Sequence, residues 1–181
     1  MSLGKLFIDD VTYRNSEGLA NSDAVMFASS PSNYKWSKEV IRSKSDSKTA
    51  DIGTALHCAI LEPERFDSLV VECDLKSRTT KGFLELQKEN SDKVVLLSSE
   101  LEQIKLMCDS IKCHPTASSL IGLDGDCESS VFVKDKSTGV LLKCRPDKDA
   151  VLSSGIVIDL KTTADLKDWR SDKEWANPLY K

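Results

Sequence analysis

Between Glu128 and Lys161 the chain falls into three short runs with the two-residue alternation of half-buried strands: Glu128–Val133, Val140–Asp147 and Gly155–Lys161. Ser137-Thr138-Gly139 and Leu152-Ser153-Ser154-Gly155 supply the turns between them. In the third run apolar residues fill every place but Asp159 and Lys161, which share a face opposite Ile156, Ile158 and Leu160. The same alternation in the second run puts Lys143, Arg145 and Asp147 on one face.

Upstream the pattern changes to helical spacing. Asn21-Ser22-Asp23 opens a helix through Ala24–Ser29 that Ser30-Pro31 stops, and Tyr34 and Trp36 begin another. Ser43–Lys48 is polar and predicts a mobile loop. Thr49 to Leu61 is a helix with Thr49 as its cap and Pro63 ending it, and Gly53, Thr54, His57, Ile60 and Leu61 on one face. Residues 78–90 form a helix opened by Thr79-Thr80, and Val94–Leu97 is a short apolar run. Ser99-x-x-Glu102 reads as a capping box for a helix through Lys112, with Leu101, Ile104, Met107, Cys108 and Ile111 inward. His114-Pro115 breaks it, and Pro115–Ile121 adds a turn or two of helix. Thr162–Trp169 opens a last helix, whereas residues 1–21 show no clean period and predict an irregular or short hairpin arm. Helices, three meandering strands and a helix make an α+β fold, read as one domain over residues 22–181.

Length and composition narrow the class. At 181 residues, 40% hydrophobic and 30% charged, the chain can bury a proper core. No apolar run approaches the ~20 residues of a membrane span, and MSLGKLFIDD is neither a signal nor a transit sequence, so a soluble, cytoplasmic protein with no membrane partner is expected. The six cysteines form no C-x-x-C pair. Cys108, Cys113 and His114 are the nearest approach to a zinc or iron–sulfur set, and reduced buried thiols are the preferred reading. The net charge of −4 does not by itself mark a nucleic-acid binder, but Lys and Arg cluster at 35–48 and 76–88.

The chemistry lies in the strands. If the second and third pair as a hairpin, Asp147, Asp159 and Lys161 converge on one spot. Two carboxylates and an ammonium on an otherwise apolar sheet are costly to desolvate unless something pairs them, which a divalent cation does well.

Pro146-Asp147 followed by Asp159-Leu160-Lys161 resembles the signature of the PD-(D/E)XK nuclease superfamily. CRPDK with IDLKTTADL is similar to the RecE-type, exodeoxyribonuclease VIII-like exonucleases of phages and prophages, and GTALHCAILEPERF at 53–66 to their upstream histidine helix. ASSPSNYK at 28–35, SRTTKG at 77–82 and TGVLLKCRPD at 138–147 fall where that family has similar segments, so the likeness runs from Ser22 to Trp169.

The resemblance implies a Mg²⁺-dependent exonuclease (Mn²⁺ as substitute) that degrades one strand of duplex DNA from its 5′ end for phage-type recombination. It implies a single-strand annealing partner, a ring-shaped homo-oligomer and a bacterial host cytoplasm. Asp147 becomes the ligand shared by two metals. Asp159, with the carbonyl of Leu160, holds the first metal and His57 the second, while Lys161 stands beside the scissile phosphate. Arg145 and Lys148 are candidate phosphate contacts, Tyr34 and Trp36 either core anchors or neighbours of the DNA path. Asp149 is a rival ligand, Glu128 a second-layer acid or a solvated strand end, and Glu62 a cap or supporting residue. The family's core continues past the D-x-K strand into a helix with a Gln-x-x-x-Tyr motif, so a C-terminally incomplete domain is expected. An endonuclease using the same site, and a non-catalytic DNA-binding or assembly remnant, are the competing readings.

Overall fold

The structure, a computed structural model, describes residues 4–39 and 48–163. It is a mixture of helices and short strands, as the α+β reading expects. The chain forms two compact units, one from Met1–Arg42, Ser129–Arg145 and Leu160–Lys181, the other from Ser43–Glu128 and Pro146–Asp159.

The first unit is built on an antiparallel sheet in the order β1 (Gly4–Leu6), β5 (Ser130–Lys134), β6 (Leu141–Cys144). The arm expected to be irregular or a short hairpin contributes one strand and a helix, α1 (Asp10–Asn15). Asp9 starts that helix by accepting from the Thr12 N–H at 2.9 Å, a cap whose acid-x-x-Thr spacing was present in the sequence. Lys143 holds its other end, donating from Nζ to the carbonyls of Tyr13 (3.0 Å), Arg14 (3.3 Å) and Ser16 (2.7 Å). Arg145 stacks on the Tyr13 ring and donates to Ser130 Oγ and the Ile8 carbonyl. Both cations are thus engaged by residues 8–16, which lie against the face that the alternation gave them. Two further helices, α2 (Asn21–Ser29) and α3 (Pro31–Glu39), form a hairpin in which Phe27 and Tyr34 meet edge to face while Trp36 is exposed.

The second unit is organised around a strand. β3 (Val94–Leu97) is buried at all four positions and pairs in parallel with β2 (Val70–Cys73). It lacks alternation because both faces are covered. Val94 and Leu96 pack with Ala55 and Leu56 of α4 (Lys48–Leu61) and Leu101 and Ile104 of α7 (Ser98–Cys113). Val95 and Leu97 pack with Cys73 and with Phe83 of α6 (Lys81–Glu89), which Thr80 caps. A 3₁₀ turn, Pro63–Arg65, and a single helical turn, α5 (Phe66–Leu69), link α4 to β2.

The α7 start is a correction. The helix begins one residue before the expected capping box, and its Glu100, not Glu102, reaches back to the Leu97 N–H at 3.0 Å. Glu100 is 3% exposed and also takes hydrogen bonds from Arg78, whose other nitrogen lies 2.5 Å from Asp51. A carboxylate needed to neutralise a buried guanidinium outcompetes one on the solvent face.

After α8 (Pro115–Ile121) comes a second sheet, β4 (Asp126–Cys127), β7 (Lys148–Ala150) and β8 (Ile156–Ile158), all antiparallel. The three long strands expected from the alternation are therefore shorter and interrupted. The first breaks at Glu128, the second at Arg145–Asp147, and the third spans only three residues. The expected turn at 152–155 is a helical turn, α9 (Val151–Ser154), ended by Gly155 at φ +71°. No helix among the described residues is long and apolar enough to cross a membrane. The helix expected over Thr162–Trp169 and the loop at Ser43–Lys48 fall almost wholly outside the described residues.

Candidate metal centre

A helix and two breaks between strands bring three donors together. His57 rides on α4, half-buried at the flank of the face formed by Ala55, Leu56, Cys58 and Leu61. Asp147 sits in the gap between β6 and β7 and is 9% exposed. Glu128 follows β4 directly and has φ +50°, in the left-handed region that side chains with a Cβ seldom adopt. One donor atom from each lies within 4.8 Å of the others. His57 Nδ1 and Asp147 Oδ2 are 3.7 Å apart.

The backbone under the site is tightly set. The Glu128 N–H donates to the Asp147 carbonyl at 3.1 Å, which ties the two acid-bearing segments together. A Cβ on Gly125 would lie 2.6 Å from the Asp149 carbonyl oxygen and 2.8 Å from Ala150 Cα. Only glycine lets the chain pass so close to β7 there.

The donor set can be tested against an ion. Donors on a small divalent cation lie about 2.1 Å from it, so adjacent ones stand roughly 3 Å apart and opposite ones about 4.2 Å. A separation of 3.7 Å is too long for a hydrogen bond and falls inside that range. Two carboxylates and an imidazole suit Mn²⁺ and similar ions, and Mg²⁺ through the oxygens. The residues fit a divalent metal.

The other candidates are placed differently. Asp159 is exposed, one residue beyond β8, and the donor group does not include it. Yet β7 and β8 pair Lys148 with Ile158, and continuing that register by one residue sets Asp147 opposite Asp159. Leu160 is half-buried and Lys161 exposed, and both belong to the other unit. Asp149 accepts from the Val151 N–H at 3.1 Å, taking up the start of α9. Glu62 pairs with Arg65 at 2.6 Å. Lys148 donates to the Ile121 carbonyl at 2.6 Å, so it too holds the fold together. Burial pushes the Cys127 thiol, beside Glu128 in the chain, above its ordinary range, and nearby acids add to this while Lys148 opposes it. None of the six cysteines is in a disulfide. Among the described residues Cys108, Cys113 and His114 form no donor group, and His114 instead caps α8, its Nδ1 accepting from the Ala117 N–H.

Glu128 is the residue whose placement the sequence reading left open. Its signal was an acid at the head of a strand. The left-handed break that aims it is invisible to periodicity.

A family described as a PDDEXK-like domain of unknown function (DUF3799) matches residues 20–179. No curated protein matches the chain. With nearly its whole length covered, the chain belongs to this family of PDDEXK-like domains, and so to the PD-(D/E)XK superfamily.

Proposed function

We propose that the chain is a divalent-metal-dependent nuclease that degrades duplex DNA from its ends, as the RecE-like segments suggest. The observation that carries the reading is the donor group of His57, Glu128 and Asp147 in a chain of this family. The ion, when bound, supplies Lewis-acid stabilisation of charge and an acidified water at neutral pH. His57 and Asp147 hold it from two elements that share no secondary structure. Asp159 and the Leu160 carbonyl would hold a second ion, with Asp147 shared between the two. Lys161 orients the attacking water and offsets charge on the scissile phosphate. Duplex DNA is the substrate, Mg²⁺ or Mn²⁺ the cofactor, and a single-strand annealing protein and a ring of identical subunits are the proposed partners.

Linear and covalently closed duplexes, each with Mg²⁺, with Mn²⁺ and with chelator, test it. Metal-dependent loss of the linear form alone is the expected result. Cutting of the closed form points to an endonuclease on the same site, and neither form cut points to a binding or assembly protein.

A further inference from the structure

We propose that the tip of the β7–β8 hairpin in one copy of the chain docks in the groove between α4, α5 and α7 of the next, a head-to-tail contact between identical subunits. The inference rests on the ring reading above and deepens it by naming the two surfaces that meet.

The first surface is the tip, the single helical turn α9. Asp149 accepts from the Val151 N–H at 3.1 Å, and Ser154 Oγ donates to the Ala150 carbonyl at 2.9 Å. Ser153 Oγ donates to the carbonyls of Asp124 and Ala150. The Gly155 N–H closes the turn on the Val151 carbonyl at 2.9 Å. The turn is thus held from within, yet it presents Val151 and Leu152 to solvent, Leu152 at 97% exposure. Exposed Ile156 and Val157 continue the apolar patch along β8. Turns ordinarily carry Gly, Asn, Asp or Ser, and a leucine here buries nothing within its own copy. A side chain on a turn already fixed loses little freedom on binding, which suits it as an interface anchor.

The second surface is a groove of about 450 Å³ on the same unit. Ala59, Phe66, Ile104 and Cys108 give it an apolar lining that belongs to the core cluster around Leu56 and Leu96. No residue of α9 lines it, so the tip of the same copy does not fill it. It has room for the side chains of Val151 and Leu152.

Charge favours this pairing and orients it. Asp124 is exposed beside Ser153, and Asp126 and Asp149 stand on the strands next to the tip. The nearest cation, Lys148, is held by the Ile121 carbonyl. At the groove, Lys105 and Lys112 flank Cys108 along α7, while Asp67 and Asp109 complete the rim. The acidic flank of the tip therefore faces the two lysines, and complementarity of this kind fixes register more than it adds affinity. Because tip and groove are different surfaces, the contact is heterologous, the type that builds rings when its rotation closes.

Sedimentation and light scattering of the full chain over a range of concentrations test this, with digestion of linear duplex followed in parallel. The wild type is expected to assemble beyond a dimer. Leu152→Asp, at a position that packs against nothing, is expected to melt like the wild type and to raise the concentration of half-assembly by roughly 30-fold or more. Ala59→Arg, which obstructs the groove, is expected to act the same way, its melting temperature showing that it folds. Mixed together, the two variants retain one intact tip and one intact groove, and are expected to form dimers and nothing larger. Leu152→Cys is expected to cross-link under mild oxidation to Cys108 of a neighbouring copy. A wild type that stays monomeric, a Leu152→Asp that assembles like it, or a mixture that gives no dimer overturns the proposal. Metal-dependent digestion in any of those cases leaves the nuclease reading standing, and a ring that survives Leu152→Asp leaves the ring reading with its contacts elsewhere.

Discussion

His57 Nδ1 faces Asp147 Oδ2 across 3.7 Å, an approach too long for a hydrogen bond between two groups that would otherwise make one. The separation is one that two ligands of a single divalent ion can adopt. It also puts the histidine question in testable form, because a core histidine and a ligand histidine fail in different ways.

His57→Ala should leave the unfolding temperature without metal little changed, since the side chain is 26% exposed and the buried face of α4 lies beside it. It should abolish most of the further stabilisation that Mn²⁺ gives, which for a ligand at 100 times its dissociation constant is about 2.7 kcal/mol. Melting curves with and without Mn²⁺ decide. A large loss without metal, and an unchanged metal response, would show a packing histidine.

Asp159→Ala and Lys161→Met address the chemical step. Both side chains are exposed, so both variants should fold and melt like the wild type. Asp159→Ala should lose cleavage altogether, and Lys161→Met should slow it by roughly 10²- to 10⁴-fold, the usual range for a proton-handling group. Digestion of an end-labelled duplex measures both. Undiminished digestion by either variant removes that residue from the proposed mechanism.

The sequence was most legible where one residue type does one job. Alternation located β5, β6 and β8 but not the short β1, β4 and β7, and Pro63 and Pro115 marked helix boundaries close to where they lie. It was least legible where long-range charge or backbone strain decides. Nothing local says that Glu100 rather than Glu102 turns inward, because the deciding partner, Arg78, is 22 residues away. Nothing local says that Lys143 and Arg145 are used up on residues 8–16, since their partners are backbone carbonyls more than 120 residues earlier. His57 and Asp147 stood out as candidates through the family-like segments that carry them, GTALHCAILEPERF and CRPDK. The direction of Glu128 depends on a single torsion that no pattern of polarity records.

The Arg78–Glu100 pair predicts an acid-sensitive second unit. Burial alone would push the Glu100 carboxyl up, but hydrogen bonds from Arg78 and the Leu97 N–H, with the charges of Arg78 and Lys48, more than offset this and hold it below its ordinary value of 4.5. A depressed folded value means the carboxylate's contribution is fully present above about pH 4.5 and is lost as pH falls through the lower, folded value. Melting temperature should therefore drop as pH falls from about 5 to 3, and the slope should be shallower in Glu100→Gln. Arg78→Met, which strands a buried carboxylate, should cost about 3 kcal/mol or more at pH 7. An unchanged slope in Glu100→Gln would mean that other acids carry the acid sensitivity.

Gly125 ties the fold to the site. Its missing Cβ is what lets β4 lie against Asp149 and Ala150, at distances of 2.6 and 2.8 Å that no real Cβ could occupy, and those atoms are backbone that no rotamer change can move aside. Gly125→Ala must therefore push β4 away from β7, at a cost of about 1–3 kcal/mol. The same displacement stretches the Glu128 N–H to Asp147 carbonyl bond, three residues on, and moves Glu128 relative to the other two donors. Stability and Mn²⁺ affinity should fall together, although Gly125 touches no metal. Gly122→Ala is the control, for its added Cβ would meet only the Ser118 and Ser119 carbonyls of α8, at 3.3 and 3.6 Å, and it should leave metal affinity intact. If Gly125→Ala lost stability while binding Mn²⁺ as the wild type does, the β4–β7 spacing would not be what sets the donors.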